Sequence, residues 1–221
     1  MMLRKLPQPI IYLITSGATT SRTTPESVEF LNIISLLKAA VSAEVSLFQI
    51  REKSLSGRVL FLLTEAAVVI TRQGPTKLLV NDRADIAAAA GADGVHLTRQ
   101  SLPIEVIRRD YGPQFLIGAS THSTREATAA KIAGADFVVL GPVFETESKR
   151  IYGEPLGLGR LREVADELAD FPVIAIGGIA LANTAACFAA GASGIAAIRL
   201  LSNPEDLARV VKEVRRSFQK E

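Results

Sequence analysis

The stretch AAGADGVHL, residues 89–97, returns twice in pattern, as IAGADFVVL at 132–140 and as AAGASGIAA at 189–197. In each copy an alanine-rich helical segment runs into a glycine suited to the left-handed conformation. A short turn follows and a buried apolar run begins. A helix that stops on glycine and feeds directly into such a run is the second half of a β-α-β unit.

Outward from these copies the same alternation covers the chain. Strands are expected near 9–15, 46–51, 77–82, 94–98, 115–120, 137–143, 172–177 and 194–199. Helices are expected near 25–43, 55–73, 83–90, 103–110, 124–133, 160–169, 181–190 and 204–219. The strands are continuous hydrophobic runs, so they need cover on both faces, which parallel strands with crossover helices supply. Eight such units close naturally into a barrel, and no G-x-G-x-x-G turn follows the first strand. The expected architecture is therefore α/β, a single (β/α)8 TIM barrel over residues 1–221, with no linker or charge block to mark a boundary. The long connection 144–159, rich in glycine and charge, reads as a loop able to act as a lid.

Composition supports a large core: 221 residues are 48% hydrophobic and 22% charged. A net charge of +2, from 25 basic and 23 acidic residues, offers no general attraction to nucleic acid or membrane, while leaving a local anion site open. The single Cys187 excludes an intrachain disulfide and reads as a packed thiol. Residues 171–198 carry no charge over a length that exceeds the roughly 20 residues of a membrane span. They nevertheless divide into a strand, a Gly-Gly turn, a small-residue helix and another strand. The start, MMLRKLPQPIIYLIT, has too short an apolar run for a signal peptide. A cytoplasmic protein with small-molecule ligands and no nucleic-acid or membrane partner is expected, with homo-oligomer formation open.

In such a barrel the chemistry sits at the C-terminal ends of the strands. The second strand ends FQIREK, and a period of two places Gln49, Arg51 and Lys53 on one side. An amide and two cations there suit an anion, the alternative being an ion pair with Glu52 or a neighbour. The third strand brings Asn81, Asp82 and Arg83. Asp82 fits either a divalent ion that bridges to phosphate or a cap on the following helix. His96 and Thr98 share a face of the fourth strand, and His96 reads as a hydrogen-bonded core group. Ser120 and His122 share a face of the fifth, and His122 suits proton transfer. Thr146, Ser148 and Lys149 lie in the long loop. Gly177 and Gly178, with the backbone around Arg199 and Leu200, match the phosphate cup that this architecture builds after strands seven and eight.

FQIREK, LLVNDRADIAAAAGADGVHL, IGASTHS, GADFVVLGPVFETESK and PVIAIGGI together resemble, in order and spacing, the thiamine phosphate synthase/TenI family. The resemblance implies an enzyme of thiamine biosynthesis that takes phosphorylated pyrimidine and thiazole compounds. In the synthase, a hydroxymethylpyrimidine diphosphate loses diphosphate with Mg²⁺ assistance and is captured by thiazole phosphate. It assigns Gln49, Arg51, Lys53, Asn81 and Lys149 to the diphosphate, Asp82 to Mg²⁺, and Ser120 to the pyrimidine. Thr146, Ser148, Gly178 and the backbone around Arg199 fall to the thiazole phosphate. Ser101 stands where synthases carry a second carboxylate for the metal, Arg199 where serine is usual, and Glu145 where proline is usual. VFETE is similar to TenI-type thiazole tautomerases, in which a histidine at the position of His122 moves a proton. Two further alternatives are a non-catalytic sensor of phosphorylated thiamine precursors and a phosphate-binding isomerase of aromatic amino-acid synthesis. The latter has no need for the second anion site at Gln49, Arg51 and Lys53.

Overall fold

Apolar runs too short to form helices and too continuous to leave a face in water become the staves of a closed barrel. A computed structural model describes residues 7–145 and 154–219. The strands are β1 (Ile10–Ile14), β2 (Leu47–Ile50), β3 (Lys77–Asn81), β4 (Gly94–Leu97), β5 (Leu116–Thr121), β6 (Phe137–Leu140), β7 (Val173–Ile176) and β8 (Gly194–Ala197). Between and after them run α1 (Val28–Ser42), α2 (Gly57–Thr71), α3 (Ala84–Ala90), α4 (Ile104–Tyr111), α5 (Thr124–Ile132), α6 (Gly157–Leu168), α7 (Thr184–Ala189) and α8 (Leu207–Gln219). Each strand pairs in parallel with the next, and β8 closes on β1 with Tyr12 opposite Ala196. The (β/α)8 barrel expected from the repeats is the fold.

Two cores follow from the period of two. Ile10, Tyr12, Leu47, Leu79, Phe137, Val139 and Ile174 fill the barrel, where Tyr12 and Phe137 meet edge to face at 5.7 Å between centroids. Alternate residues such as Phe48, Val80, Ile117 and Val138 face outward and pack with the helices. The charge-free stretch 171–198 is consumed by β7, α7 and β8, and no described helix is long and apolar enough to cross a membrane. Cys187 is buried, and burial pushes its thiol up to about 11, consistent with an inert packed group.

The repeated motif holds the N-terminal end of the barrel. Gly91, Gly134 and Gly191 have φ of +78°, +98° and +89°, the left-handed geometry that ends each helix. The motif's aspartates then do something not visible in the pattern. Asp93 accepts from Leu78 N at 2.9 Å and from Lys77 Nζ at 2.8 Å, and Asp136 accepts from Ile117 N and from Arg108 Nη2, both at 2.7 Å. Ser46 Oγ accepts from Ile11 N in the same way at 3.1 Å. Each satisfies a strand N–H at the face opposite the expected chemistry.

Several boundaries differ from expectation: α1 starts at Val28 rather than near 25, β6 ends at Leu140 rather than near 143, and α6 starts at Gly157, within the connection expected over 144–159. Two more have a visible cause. β8 stops at Ala197, because Ile198 turns into a 3-10 segment over Arg199–Leu201. The helix expected over 181–190 starts as a 3-10 turn, Leu181–Asn183, because the Asn183 side chain accepts from Ala180 N and donates to Gly178 O, both at 2.9 Å.

Candidate active site

The end of β2 carries the expected amide and two cations. Gln49 lies opposite Ile14 and Leu79 and is only 1% exposed, so its side chain is directed into the barrel. Its Nε2 donor has no partner among the described residues. Arg51 follows on the same side, half-buried, its main-chain N–H donating to Thr15 Oγ1 at 2.8 Å. A Cβ built on Gly17 would lie 3.6 Å from Arg51 Nη1, which places the guanidinium against the β1–α1 loop. Lys53 is exposed in the turn beyond. Among the described residues neither Arg51 nor Lys53 pairs with a carboxylate. The expected alternative, an ion pair with Glu52, does not form: both Glu52 oxygens accept from Gly17 and Thr19 instead.

At the end of β3, Asn81 pairs in register with His96 and therefore faces the same interior. Asp82 has φ +66°, unusual for a residue with a Cβ, held by donation from Asp82 N to His96 O at 2.9 Å. It does not cap α3, because the N-cap is Arg83 and no side chain caps there. Arg83 turns outward to Asp85 with two bonds of 2.8 and 2.6 Å. The Asp82 carboxylate is thus left exposed at the rim. Ser101 Oγ accepts from Thr98 N at 2.7 Å and closes the β4–α4 turn. Arg99 lies 3.8 Å from Glu126 on α5.

His96 is a core histidine, as expected, 4% exposed beside Tyr12. Burial, and secondarily the Arg51 charge, hold its pKa down to about 3, so it is neutral. Its Nε2 lies 2.8 Å from Ser120 Oγ while Nδ1 has no partner among the described residues. A buried acceptor tolerates lack of a partner better than a buried donor does. The proton therefore belongs on Nε2, which donates to Ser120 and leaves the serine O–H free to donate into the barrel mouth. Ser120 and His122 share a face but not a bond. His122 Nδ1 donates to Gly141 O at 2.5 Å, and Glu126 accepts from His122 N at 2.8 Å, so Nε2 of His122 is left as the acceptor.

Across the rim, Gly177 and Gly178 have φ of +96° and +65°. A Cβ on Gly178 would sit 2.6 Å from Phe144 Cβ, so these glycines also admit the β6–α6 connection, which Phe144 N ties to Gly177 O at 3.0 Å. Arg199 and Leu200 open the 3-10 turn after β8, next in barrel order. Thr146, Ser148 and Lys149 lie outside the described residues.

The family described as thiamine monophosphate synthase matches residues 12–201, from within β1 to beyond β8. The chain belongs to that family. A thiamine-phosphate synthase of Chlorobium phaeovibrioides is 42% identical over 178 residues, covering 80% of this chain and 85% of that protein. One of Methanoculleus marisnigri is 41% identical over 180 residues, covering 81% and 85%. Among solved structures, the thiamine phosphate pyrophosphorylase of Pyrococcus furiosus superposes with a TM-score of 0.76 at 30% identity, covering 96% of this chain and 97% of that one. For this thiamine monophosphate synthase family member, residue typing at the strand ends anticipated Gln49, Arg51, Asn81 and Ser120 at the rim. It did not anticipate Thr15, Gly17 and Thr19, whose signal was the hydroxyl-rich run TSGATTSRTTPES at 15–27.

Proposed function

We propose that this enzyme is a thiamine phosphate synthase, which joins a hydroxymethylpyrimidine diphosphate to a thiazole phosphate and releases diphosphate. The observation that carries the reading is the pair Arg51 and Lys53, without carboxylate partners among the described residues, above the inward Gln49 and Asn81. A second anion position at Gly177 and Gly178 across the rim allows two phosphorylated substrates to meet over the barrel mouth.

The bond from the pyrimidine methylene carbon to the diphosphate oxygen breaks with its electron pair going to oxygen. The thiazole nitrogen then donates its lone pair to that carbon. Arg51 and Lys53 hold the diphosphate and stabilise the charge it gains, and the amide donors of Gln49 and Asn81 orient it. Ser120, with its oxygen engaged by His96, donates its O–H to the pyrimidine. The resemblance gives Lys149 to the diphosphate and Thr146 and Ser148 to the thiazole phosphate. Asp82, an exposed carboxylate beside a cationic site, suits Mg²⁺, which commonly takes one or two carboxylates with phosphate oxygens and water. When bound, the ion neutralises the departing diphosphate. The test is incubation of the purified protein with both substrates, with and without Mg²⁺. Thiamine phosphate and diphosphate should appear in equal amounts, and no product at saturating Mg²⁺ would refute the reading.

His122 favours a second reading, a thiazole tautomerase, because its Nδ1 bond to Gly141 O leaves Nε2 as a base. In that case His122→Asn slows solvent-deuterium exchange into a thiazole carboxylate phosphate by about 10²–10⁴-fold. Unchanged exchange would remove His122 from such a role.

A further inference from the structure

Glu52 lies between the two cations of the anion site, is 4% exposed, and pairs with neither of them. Its Oε1 accepts from Gly17 N at 3.0 Å, and its Oε2 accepts from Thr19 N at 3.1 Å and Thr19 Oγ1 at 2.7 Å. All three donors belong to the β1–α1 connection, which in turn lies against Arg51: Thr15 Oγ1 accepts from Arg51 N, and Gly17 faces the guanidinium. A buried carboxylate is costly unless its oxygens are satisfied, and here one short segment satisfies both. Had Glu52 turned to Arg51 or Lys53 it would have neutralised the charge that a diphosphate needs.

We propose that Glu52 is a positioning residue for the anion site: it pins residues 17–19 against Arg51 and, by spending both oxygens there, leaves the guanidinium available for diphosphate. The inference rests on the synthase reading of Arg51. Glu52 acts through its neighbours and touches no substrate. The loop it holds forms the wall on which the guanidinium lies, so releasing the loop releases Arg51.

The test measures binding of inorganic diphosphate and of thiazole phosphate by calorimetry, with amide hydrogen exchange across residues 16–24. Glu52→Gln replaces one acceptor oxygen by an NH₂ that faces N–H donors. Exchange at Gly17 and Thr19 should rise on the order of tenfold. Diphosphate binding should weaken about tenfold, the effect of losing one charge-assisted hydrogen bond, with thiazole phosphate binding unchanged. Thr19→Val removes only the hydroxyl donor, should weaken diphosphate about threefold, and serves if Glu52→Gln does not fold. Faster loop exchange with unaltered diphosphate affinity, or equal loss of both ligands, would overturn the inference. Arg51→Ala in parallel separates the two layers: if it leaves diphosphate binding intact, the anion-site reading falls and this inference with it. If Arg51→Ala weakens binding and neither other variant does, only the role of Glu52 falls.

Discussion

Replacing Arg51 by methionine removes the guanidinium while keeping an unbranched apolar stem. Its side chain makes no ion pair among the described residues, and its hydrogen bond to Thr15 comes from the main chain and survives. Stability should therefore change by no more than about 0.5 kcal/mol, the ordinary range for a rim substitution that breaks no hydrogen bond or ion pair, or roughly 1–2 °C in Tm for a chain of this size. Ligand binding should respond differently. A full charge pair at 4 Å would be worth about 4 kcal/mol at the effective dielectric of a protein surface, but the half-buried rim admits water, so the lower figure of about 1.5–3 kcal/mol for a hydrogen bond between charged groups applies. That predicts roughly a tenfold to hundredfold weaker Kd for the pyrimidine diphosphate. Thiazole phosphate, which the proposed function seats near Gly177 and Gly178, should bind as before. Calorimetric titration of both ligands against wild type and Arg51→Met, with a melting curve for each, decides the matter. Equal weakening of the two ligands, or a Tm loss well beyond 2 °C, would show that the guanidinium is a strut of the fold and refute the argument.

Other expectations follow from the same geometry. His96 has a folded pKa of about 3 against about 6.5 unfolded, so between those values the unfolded chain binds the extra proton and stability falls as pH falls. From pH 6.5 to pH 5 the wild type should lose about 2 kcal/mol more than His96→Gln in urea unfolding, and parallel pH dependences would show that His96 is not buried neutral. In Ser101→Asp a carboxylate can still accept from Thr98 N and restores the charge that the family resemblance puts there as a metal ligand, so on the proposed Mg²⁺-assisted reaction the Mg²⁺ concentration for half-maximal rate should fall several-fold; an unchanged value would place residue 101 outside the metal's reach. Gly178→Ala puts a Cβ against Phe144 in a left-handed conformation, which should cost about 1–3 kcal/mol in unfolding experiments. It should also raise KM for thiazole phosphate more than for the pyrimidine substrate, and a neutral result would mean the β6–α6 connection gives way freely.

The barrel was legible because its signals are local. A glycine that must be left-handed at 91, 134 and 191, followed within a few residues by a buried strand, states a β-α junction whatever surrounds it. The period of two likewise fixes which side of β2 carries Gln49 and Arg51, and the order of motifs along the chain carries the family.

Contacts between elements were not legible in the same way. Nothing in spacing says that Ser120 is engaged by His96 rather than by His122, two residues away. Nor does it say that Asp93 and Asp136 reach sideways to the N–H groups of Leu78 in β3 and Ile117 in β5, or that Glu52 turns from its charged neighbours to Gly17 and Thr19. Alternation along one strand tells which residues point inward but not how high each stands beside the next strand. That height is set by the stagger at which eight strands close on themselves, and closure is a property of the whole barrel. Local sequence therefore determined the parts and the residue types at the rim, while tertiary closure decided which of them touch.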